Sequence, residues 1–561
     1  MKMSGAEAIV KSLIQLKVSH IFGYPGGAIM PTYDALYHVD DKDMRHILVR
    51  HEQGAVIAAE GYARVSGKAG VCIATSGPGA TNLITGIADA MLDSVPIVCI
   101  TGQVAYHLIG TDAFQEADII GMTVPITKWN YQITNAQEIP YIIAKAFHIA
   151  TSGRPGPVLI DVTKDAQFGE MDFDSNMFPS FSFNMPAPSE IDLSHAIHLI
   201  NTARKPVIFA GHGIALANAE NELINFATKT GIPIACTLHG LSTVDTQHPL
   251  YVGYLGMHGN YAPNILTNEA DLIIAMGMRF DDRVTGNLTH YAKNAKIIHV
   301  DIDKAELNKI VKADVAIHAN AKEVLIQLAN RANSNNHEAW ITEFKKHYDT
   351  EQQKVINYEI THQPDHKIKM AEVLDKLSTK TNRNAIIVSD VGQHQMIAAR
   401  YFKYKNPKSH ITSGGLGTMG FGLPAAIGAK FASPEQEVIA VIGDGGFQMN
   451  LQELGIILQE NIKVKILILN NEYLGMVRQW QEMFFNERYS FTKMINPDFI
   501  KLAEAYSIRG MRVNNANELD KALDLFLDAD TSFVLEVMVE KQGKVFPMVP
   551  SGHGVHEIRI E

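Results

Sequence analysis

The sequence predicts an α/β protein built from three doubly wound parallel-sheet domains, and three observations predict it. Apolar strand-like runs alternate with amphipathic helix-like runs from end to end, the pattern of parallel sheets covered by helices. The strand-like runs end in short turns rich in Gly, Asp, Asn and Ser, at the carboxyl edge where such sheets hold their ligands. Two stretches break the alternation, and 561 residues exceed what a single core supports. The first break, near Gln167 to Ser189, is rich in Phe, Asn, Pro and Ser. The second, near Arg331 to Lys367, is polar, contains Pro364 and reads as helical between about Glu338 and Tyr358. The expected domains are 1–170, 190–335 and 366–561, with 171–189 and 336–365 as linkers.

Taken in order, the chain starts with Ser4 as the N-cap of an amphipathic helix within Met1 to Leu16, and no signal or transit peptide is expected. In the first domain Ile21-Phe22 leads to Gly23-Tyr24-Pro25-Gly26-Gly27, and Ile47-Leu48-Val49 to Arg50-His51-Glu52-Gln53-Gly54. Val71 to Ala74 leads to Thr75-Ser76-Gly77-Pro78-Gly79-Ala80, and Ile97 to Ile100 to a turn at Thr101-Gly102-Gln103. Four such turns at one sheet edge suggest a cofactor face. The middle domain has strand-end turns at Gly211-His212-Gly213 and Gly277-Met278-Arg279, and its strand Ile297 to Val300 ends at Asp301.

The third domain repeats the plan of the first. Ile386-Ile387-Val388 leads to Ser389-Asp390-Val391-Gly392-Gln393-His394, and a glycine-rich loop follows at Ser413 to Gly420. Val438 to Ile442 then closes on Gly443-Asp444-Gly445-Gly446, the amphipathic run Phe447 to Glu460 follows, and Val464 to Leu469 closes on Asn470-Asn471. A right-handed crossover makes these two strands parallel and brings both polar ends to one edge. Asp444 and Asn471 then converge as hard oxygen ligands while the Gly445 and Gly446 amides face an anion, which describes a site for Mg2+ holding a diphosphate. Two ordinary strand-end turns are the alternative.

Other classes are less well supported. A net charge of −11 with no basic stripe argues against a nucleic-acid partner, and no apolar run is long enough to span a bilayer. Cys72, Cys99 and Cys236 lie in apolar runs without metal-ligand spacing, as reduced core thiols of a cytoplasmic protein do. Gly415, Gly417 and Gly420 satisfy G-x-G-x-x-G, but no long strand runs straight into them and no acidic residue ends a following strand where a nicotinamide dehydrogenase needs it. Glu52 is either a solvated strand-end carboxylate or, if buried in a cofactor cleft, a group able to share a proton with a ring nitrogen.

Gly443-Asp444-Gly445 with Asn470-Asn471, and Glu52 in the N-terminal domain, resemble thiamine-diphosphate enzymes. Within them the chain is similar over almost its whole length to the large, catalytic subunit of biosynthetic acetohydroxyacid (acetolactate) synthases. The matching runs are Gly23 to Gly27, Gly110 to Glu116, Arg154-Pro155-Gly156-Pro157, Gly256-Met257-His258-Gly259, Arg279 to Gly286, and Met476 to Gln481. The resemblance implies a transferase that decarboxylates pyruvate and condenses the hydroxyethyl unit with pyruvate or 2-oxobutyrate, the first common step towards valine, leucine and isoleucine. It implies Mg2+ held by Asp444, Asn471 and the carbonyl of Tyr473. Thiamine diphosphate is implied against Val391, Gly392, Gln393, His394, Gly417, Met419, Gly443, Gly445, Gly446, Gly475 and Met476, with Glu52 on its pyrimidine nitrogen.

Gly27 and Gln115 are implied to stabilise oxyanions, Arg283 to bind the acceptor carboxylate, Trp480 to wall the acceptor pocket and Lys164 to lie at the entrance. FAD in a supporting, non-redox role is implied at Arg154, Gly211, Gly213, Thr237, Leu238, Gly256, His258, Gly277, Arg279, Asp301 and Ile302. The chain departs from the family in two places: Ala319-Asn320 replaces the usual Gly-Asp, so that Asn320 meets the adenine end without a carboxylate, and His239 stands where a less polar residue is common. The expected partners are a second copy of the chain, as a homodimer or tetramer with the thiamine site shared between subunits, and a small regulatory subunit. The rival members are the FAD-free catabolic acetolactate synthase, pyruvate oxidase and glyoxylate carboligase. The Arg279 to Gly286 run and Trp480 favour the biosynthetic enzyme over them, and Glu52 disfavours the carboligase.

Overall fold

Three six-stranded sheets, parallel throughout, organise the chain. The computed structural model describes residues 1–174, 177–179, 181–361 and 367–561; Pro364 lies outside the described residues. The first sheet runs Arg45–Leu48, His20–Gly23, Gly70–Ala74, Ile97–Gln103, Val158–Thr163 and Trp129–Ile133. The last runs His410–Thr412, Ile386–Ser389, Val438–Gly443, Lys465–Asn470, Phe533–Met538 and Arg509–Val513. Counted by chain order within each sheet, both read 2-1-3-4-6-5, so the first and third domains share one topology. The middle sheet runs Tyr251–Tyr254, Ile234–Cys236, Pro206–Ala210, Leu272–Met276, Lys296–Asp301 and Val315–His318, an order of 3-2-1-4-5-6 typical of dinucleotide-binding sheets.

The strands form where the β-branched runs lie. Val438–Gly443 and Lys465–Asn470 are buried along their whole length, as a sheet with helices on both faces requires. Helices Glu52–Ser66 and Gly422–Ala432 join the first and third domains at two glycines. A Cβ on Gly61 would collide with the carbonyl of Ala425, and one on Gly428 with that of Ala58. The second break holds helix Glu338–Glu351, a π-helical turn Gln352–Ile356 and helix Asn357–Ile360.

Three local expectations change. The strand starting at Ile97 does not turn at Thr101 but runs on to Gln103, paired with Asp161, Val162 and Thr163. Its polar side chains stay buried because Asp161 accepts from Thr101 Oγ1 at 2.7 Å and Gln103 Nε2 at 3.1 Å. The run Phe447 to Glu460 is not one helix: Asp444–Asn450 and Leu454–Glu460 are separated by a 3-10 turn, where Asn450 donates its Nδ2 to the carbonyl of Gly420 at 2.8 Å. The first break is partly ordered, since Glu170–Asp172 pairs antiparallel with Lys2–Ser4. Ser4 then caps Gly5–Gln15 reciprocally with Glu7. All three cysteines are buried and free, and no helix among the described residues is long and apolar enough to cross a membrane.

Candidate active site

In a doubly wound sheet ligands gather where neighbouring crossovers depart to opposite sides. In the third domain that point lies between Ile386–Ser389 and Val438–Gly443, which end at residues 390–394 and at Asp444. Asp444 is 1% exposed, and burial pushes its carboxyl up to about 6. Its Oδ2 accepts from Asn496 Nδ2 at 2.7 Å, and the same amide reaches Asn470 Oδ1 at 3.1 Å. Asn471 is buried one strand away; its Oδ1 accepts from the Tyr473 amide at 3.0 Å and its Nδ2 donates to Gln393 Oε1 at 3.3 Å. Gln393 Nε2 is in turn held by Gln479 Oε1 at 3.0 Å and the Gly543 carbonyl at 2.8 Å. A buried carboxylate held by amides beside an oriented amide oxygen is a donor set that suits a hard divalent cation.

Close backbone approach accounts for the glycines. A Cβ on Gly445 would stand 2.9 Å from Leu474 Cδ2, 3.3 Å from Met494 Sδ and 3.7 Å from Met419 Cε, so Met419 reaches the start of the Asp444 helix. One on Gly446 would meet Asp390 Oδ1 at 2.7 Å, one on Gly443 or Gly392 the His394 ring at 2.9 Å, and one on Gly475 would collide with Gln393. Burial draws the His394 ring down to about 4, and its Nε2 accepts from the Gly443 amide at 3.3 Å, so the neutral ring carries its proton on Nδ1. Gly417, at φ +72°, lies in the same loop as Met419.

A cavity of about 780 Å3 opens beside this edge, a size that holds a large cofactor. Its walls include Arg154, Gly213, Thr237, Leu238, Gly256, His258, Gly277, Arg279, Asp301, Ile302 and Asn320, and also Arg283, Val391, Gly417, Met476 and Trp480. Positions expected at a flavin and positions expected at the acceptor thus share one space. Gly211 lies behind the wall at the middle sheet's own switch point, where a side chain would collide with the Gly277 carbonyl. Burial pushes Asp301 up to about 6 and draws His258 down to about 3, so His258 is neutral. Arg154 is fixed by Ser94 Oγ at 2.8 Å and Glu306 at 2.9 Å. Asn320 Oδ1 caps helix Ala321–Arg331 through the Lys322 amide at 2.9 Å. Trp480 Nε1 is buried without a partner among the described residues, and Arg283 is half exposed with Nη1 3.5 Å from Met257 Sδ.

The first-domain residues form a separate group. Glu52 begins helix Glu52–Ser66, and its Oε2 accepts from Asn82 Nδ2 at 2.9 Å. Gly27 is exposed with open space at its Cα, between Gly26, which packs on Thr75, and Ala28, whose amide donates to Thr75 Oγ1 at 3.2 Å; Gln115, at φ +59°, lies over Gly77; Lys164 is exposed at the start of Lys164–Phe168. None of the four lines the large cavity. The residues around Glu52 dock instead on their own third domain, where the Arg50 amide donates to Glu453 Oε2 at 3.0 Å.

Each of the three domains matches a family model. Residues 3–122 match the N-terminal thiamine pyrophosphate (TPP) binding domain of thiamine pyrophosphate enzymes, 193–328 the central domain and 390–537 the C-terminal TPP binding domain. The acetolactate synthase isozyme 2 large subunit of Escherichia coli (strain K12) is 45% identical over 551 residues, 98% of each chain. The acetolactate synthase large subunit of Lactococcus lactis is 46% identical over 98% of this chain and 95% of its own. This chain belongs to the acetolactate synthase large-subunit family of thiamine pyrophosphate enzymes.

Several residues in this family member's site escaped the sequence reading. Asn496 orients Asp444, Asn82 meets Glu52, and Asp89 and Asp93 brace Ser413 to Gly415, yet each sits in a helix or loop with no local mark of that contact. Asp390, beside the expected Val391, accepts from three amides, those of Val391, Gly420 and Gly422. Among the described residues one cluster suited to a metal, His290, His556 and Glu557, lies elsewhere, with its ligand atoms within 4.8 Å of one another. There Asn268 Nδ2 pairs with His556 Nδ1 at 2.8 Å and the Gly554 amide with Glu557 Oε2 at 2.7 Å, so the group fastens the C-terminal segment to the middle domain.

Proposed function

We propose that the chain forms acetolactate from two pyruvates, and acetohydroxybutyrate from pyruvate and 2-oxobutyrate, with thiamine diphosphate and Mg2+ as working cofactors and FAD in a non-redox role. The observation that carries this reading is the convergence of Asp444, Asn471 and the 390–394 loop at the third domain's switch point, beside a cavity walled by Trp480 and Arg283. Bound thiamine diphosphate supplies a carbon nucleophile and an electron sink. Asp444, Asn471 and the Tyr473 carbonyl hold the cation, and the amides of Gly392 and Gly445–Gly446 face the diphosphate. Met419 supports the bent shape of the cofactor.

Glu52 has Asn82 on Oε2, which leaves Oε1 to share a proton with the pyrimidine nitrogen. Gly27 and Gln115 donate to oxygen atoms that gain charge. The Arg283 guanidinium offers the fork that a carboxylate takes bidentately. Trp480 presents an apolar wall and a free indole N–H, and Lys164 stands at the entrance. The cavity fits FAD in size and in its glycine cradle at Gly211, Gly213 and Gly277; Asn320 offers the adenine a donor in place of a carboxylate.

The active unit is a homodimer or tetramer in which Glu52 of one subunit completes the Asp444 site of another. Support comes from apolar side chains left exposed on both domains, Phe114 at 88%, Phe491 at 97% and Ile495 at 95%. A smaller regulatory partner belongs to the same proposal, which the relatives named large subunits support. The domains are 1–170, 190–335 and 366–561, and the location is cytoplasmic. The test is a product assay on pyruvate with and without 2-oxobutyrate, with thiamine diphosphate and Mg2+ present, and a flavin absorbance spectrum of the purified protein. No acetolactate under these conditions overturns the reading, and activity without bound flavin overturns the FAD assignment.

A further inference from the structure

Asp93 stands in a costly place. It ends helix Ile84–Asp93, where the helix dipole opposes a negative charge, and its side chain is fully buried. Three donors and an imidazole meet it there. Arg64 reaches its Oδ2 at 2.7 Å and the amides of Gly414 and Gly415 donate to it at 2.9 and 2.7 Å, while His239 Nε2 lies 3.0 Å from its Oδ1. Burial would raise its carboxyl, but His239 and Arg64 hold it well below the usual range, so it is ionised. Four residues earlier, Asp89 accepts from Ser413 Oγ and, at 3.0 Å, from Thr418 Oγ1. Glu60, facing the same cluster 3.8 Å from Arg64 and with no hydrogen-bond partner among the described residues, is pushed well above its usual range by burial and by Asp89 and stays neutral.

The loop gripped in this way spans both expected cofactor sites. Its beginning touches the large cavity through Gly414 and Gly415, against His239 and within reach of Arg279. It then carries Gly417 and Met419, and its end, Gly420, is bound at 3.0 Å by Asp390, which also holds the Val391 amide at 2.7 Å. One glycine loop is therefore fixed by three carboxylates, two of them from another domain, and Asp93 is the one that also touches the wall of the flavin pocket through His239.

We propose that Asp93 is a positioning residue that couples the two cofactor sites, by making the order of the 413–420 loop depend on the occupant of the large cavity. The inference rests on the reading above, in which that cavity holds FAD and the 390–394 edge holds the diphosphate. FAD against His239 and Arg279 fixes Asp93; Asp93 fixes Gly414 and Gly415; the loop then presents Gly417 and Met419 already ordered. Thiamine diphosphate meets a smaller ordering cost, and linkage requires the same factor in the opposite direction.

The test is a binding cycle on the full-length chain freed of cofactors. Affinities for thiamine diphosphate with Mg2+ are measured without and with saturating FAD, and those for FAD without and with thiamine diphosphate. In the unaltered chain each cofactor should tighten the other by the same factor, on the order of tenfold. In Asp93→Asn that factor should fall towards one, whatever happens to each affinity alone, a result that mere loss of stability does not produce. Should that variant not fold, His239→Leu, which removes the imidazole beside Asp93, should lower the factor in the same direction. An unaltered chain that binds both cofactors without coupling, or a folded variant that keeps the full factor, overturns the inference and leaves the functional reading intact. An unaltered chain that binds no FAD overturns the flavin reading and the inference with it.

Discussion

The first and third domains share one strand order but finish their switch points in opposite ways. In the third, the edge is closed. Asp444 and Asn471 are buried, and glycines at 443, 445, 446 and 475 let His394, Leu474 and Gln393 close on the backbone. In the first, the matching edge is open: Gly27 and Lys164 are exposed, and Glu52 is tied only locally, to Asn82. Topology decides where a ligand can lie, and side chains decide whether the place is a vice or a lid. The third domain has the build of a vice for a charged head group. The first has the build of a face that meets its ligand when another surface arrives.

The strongest way to break this comparison is Glu52→Gln. If the open face supplies chemistry rather than grip, cofactor binding should persist while exchange of the thiazolium C2 proton slows by about 10²–10⁴-fold, as read by hydrogen–deuterium exchange in NMR. An unchanged exchange rate would reduce the first domain to a cover. The closed face is tested by Asn496→Ala, which deprives Asp444 of its orienting amide and should weaken Mg2+-dependent thiamine diphosphate binding by about 10–100-fold in a fluorescence titration. Equal affinity would mean that the vice does not depend on its outer support.

Trp480→Leu, at the junction of the closed face and the large cavity, should lower the preference for 2-oxobutyrate over pyruvate by a factor that corresponds to about 1–3 kcal/mol, measured as a product ratio in competition. The smallest effect is expected where the two domains join within one chain. Glu453 is fully buried, and burial raises its carboxyl to about 7, partly offset by the Arg50 amide. A raised folded pKa favours folding below the unfolded value and is lost as pH rises through the folded one. Glu453→Gln should therefore gain about 1–3 kcal/mol relative to the unaltered chain between pH 5 and 8, read as a difference in the pH dependence of Tm. An equal slope for both proteins would show that the joint carries no titration.

Much of the closed face was legible because its residues sit at strand ends. Asp444 and the Asn470-Asn471 pair follow runs rich in Val, Ile and Leu, so the alternation that marks the strands also marks where the candidate ligands fall. The open face was less legible: Thr101 to Gln103 reads as a turn by composition, and it is Asp161, on the neighbouring strand, together with the Ala117 carbonyl that makes it possible to bury them. The break at Asn450 was equally hidden, since the apolar period continues across it and the cause is the Gly420 carbonyl.

The sequence by itself determined the α/β class, the membership of the family and the strand-end positions of most candidate ligands, because these depend on local period and on residue type at a strand terminus. The tertiary structure alone decided that the positions expected at a flavin and those expected at the acceptor line one cavity, and that Glu52 meets Asn82. It also paired Asp93 with a glycine loop 321 residues away. The physical reason is the same in each case. A backbone amide or a buried carboxylate carries no mark in sequence of the partner it will meet, and the meeting is fixed by how whole sheets and helices pack.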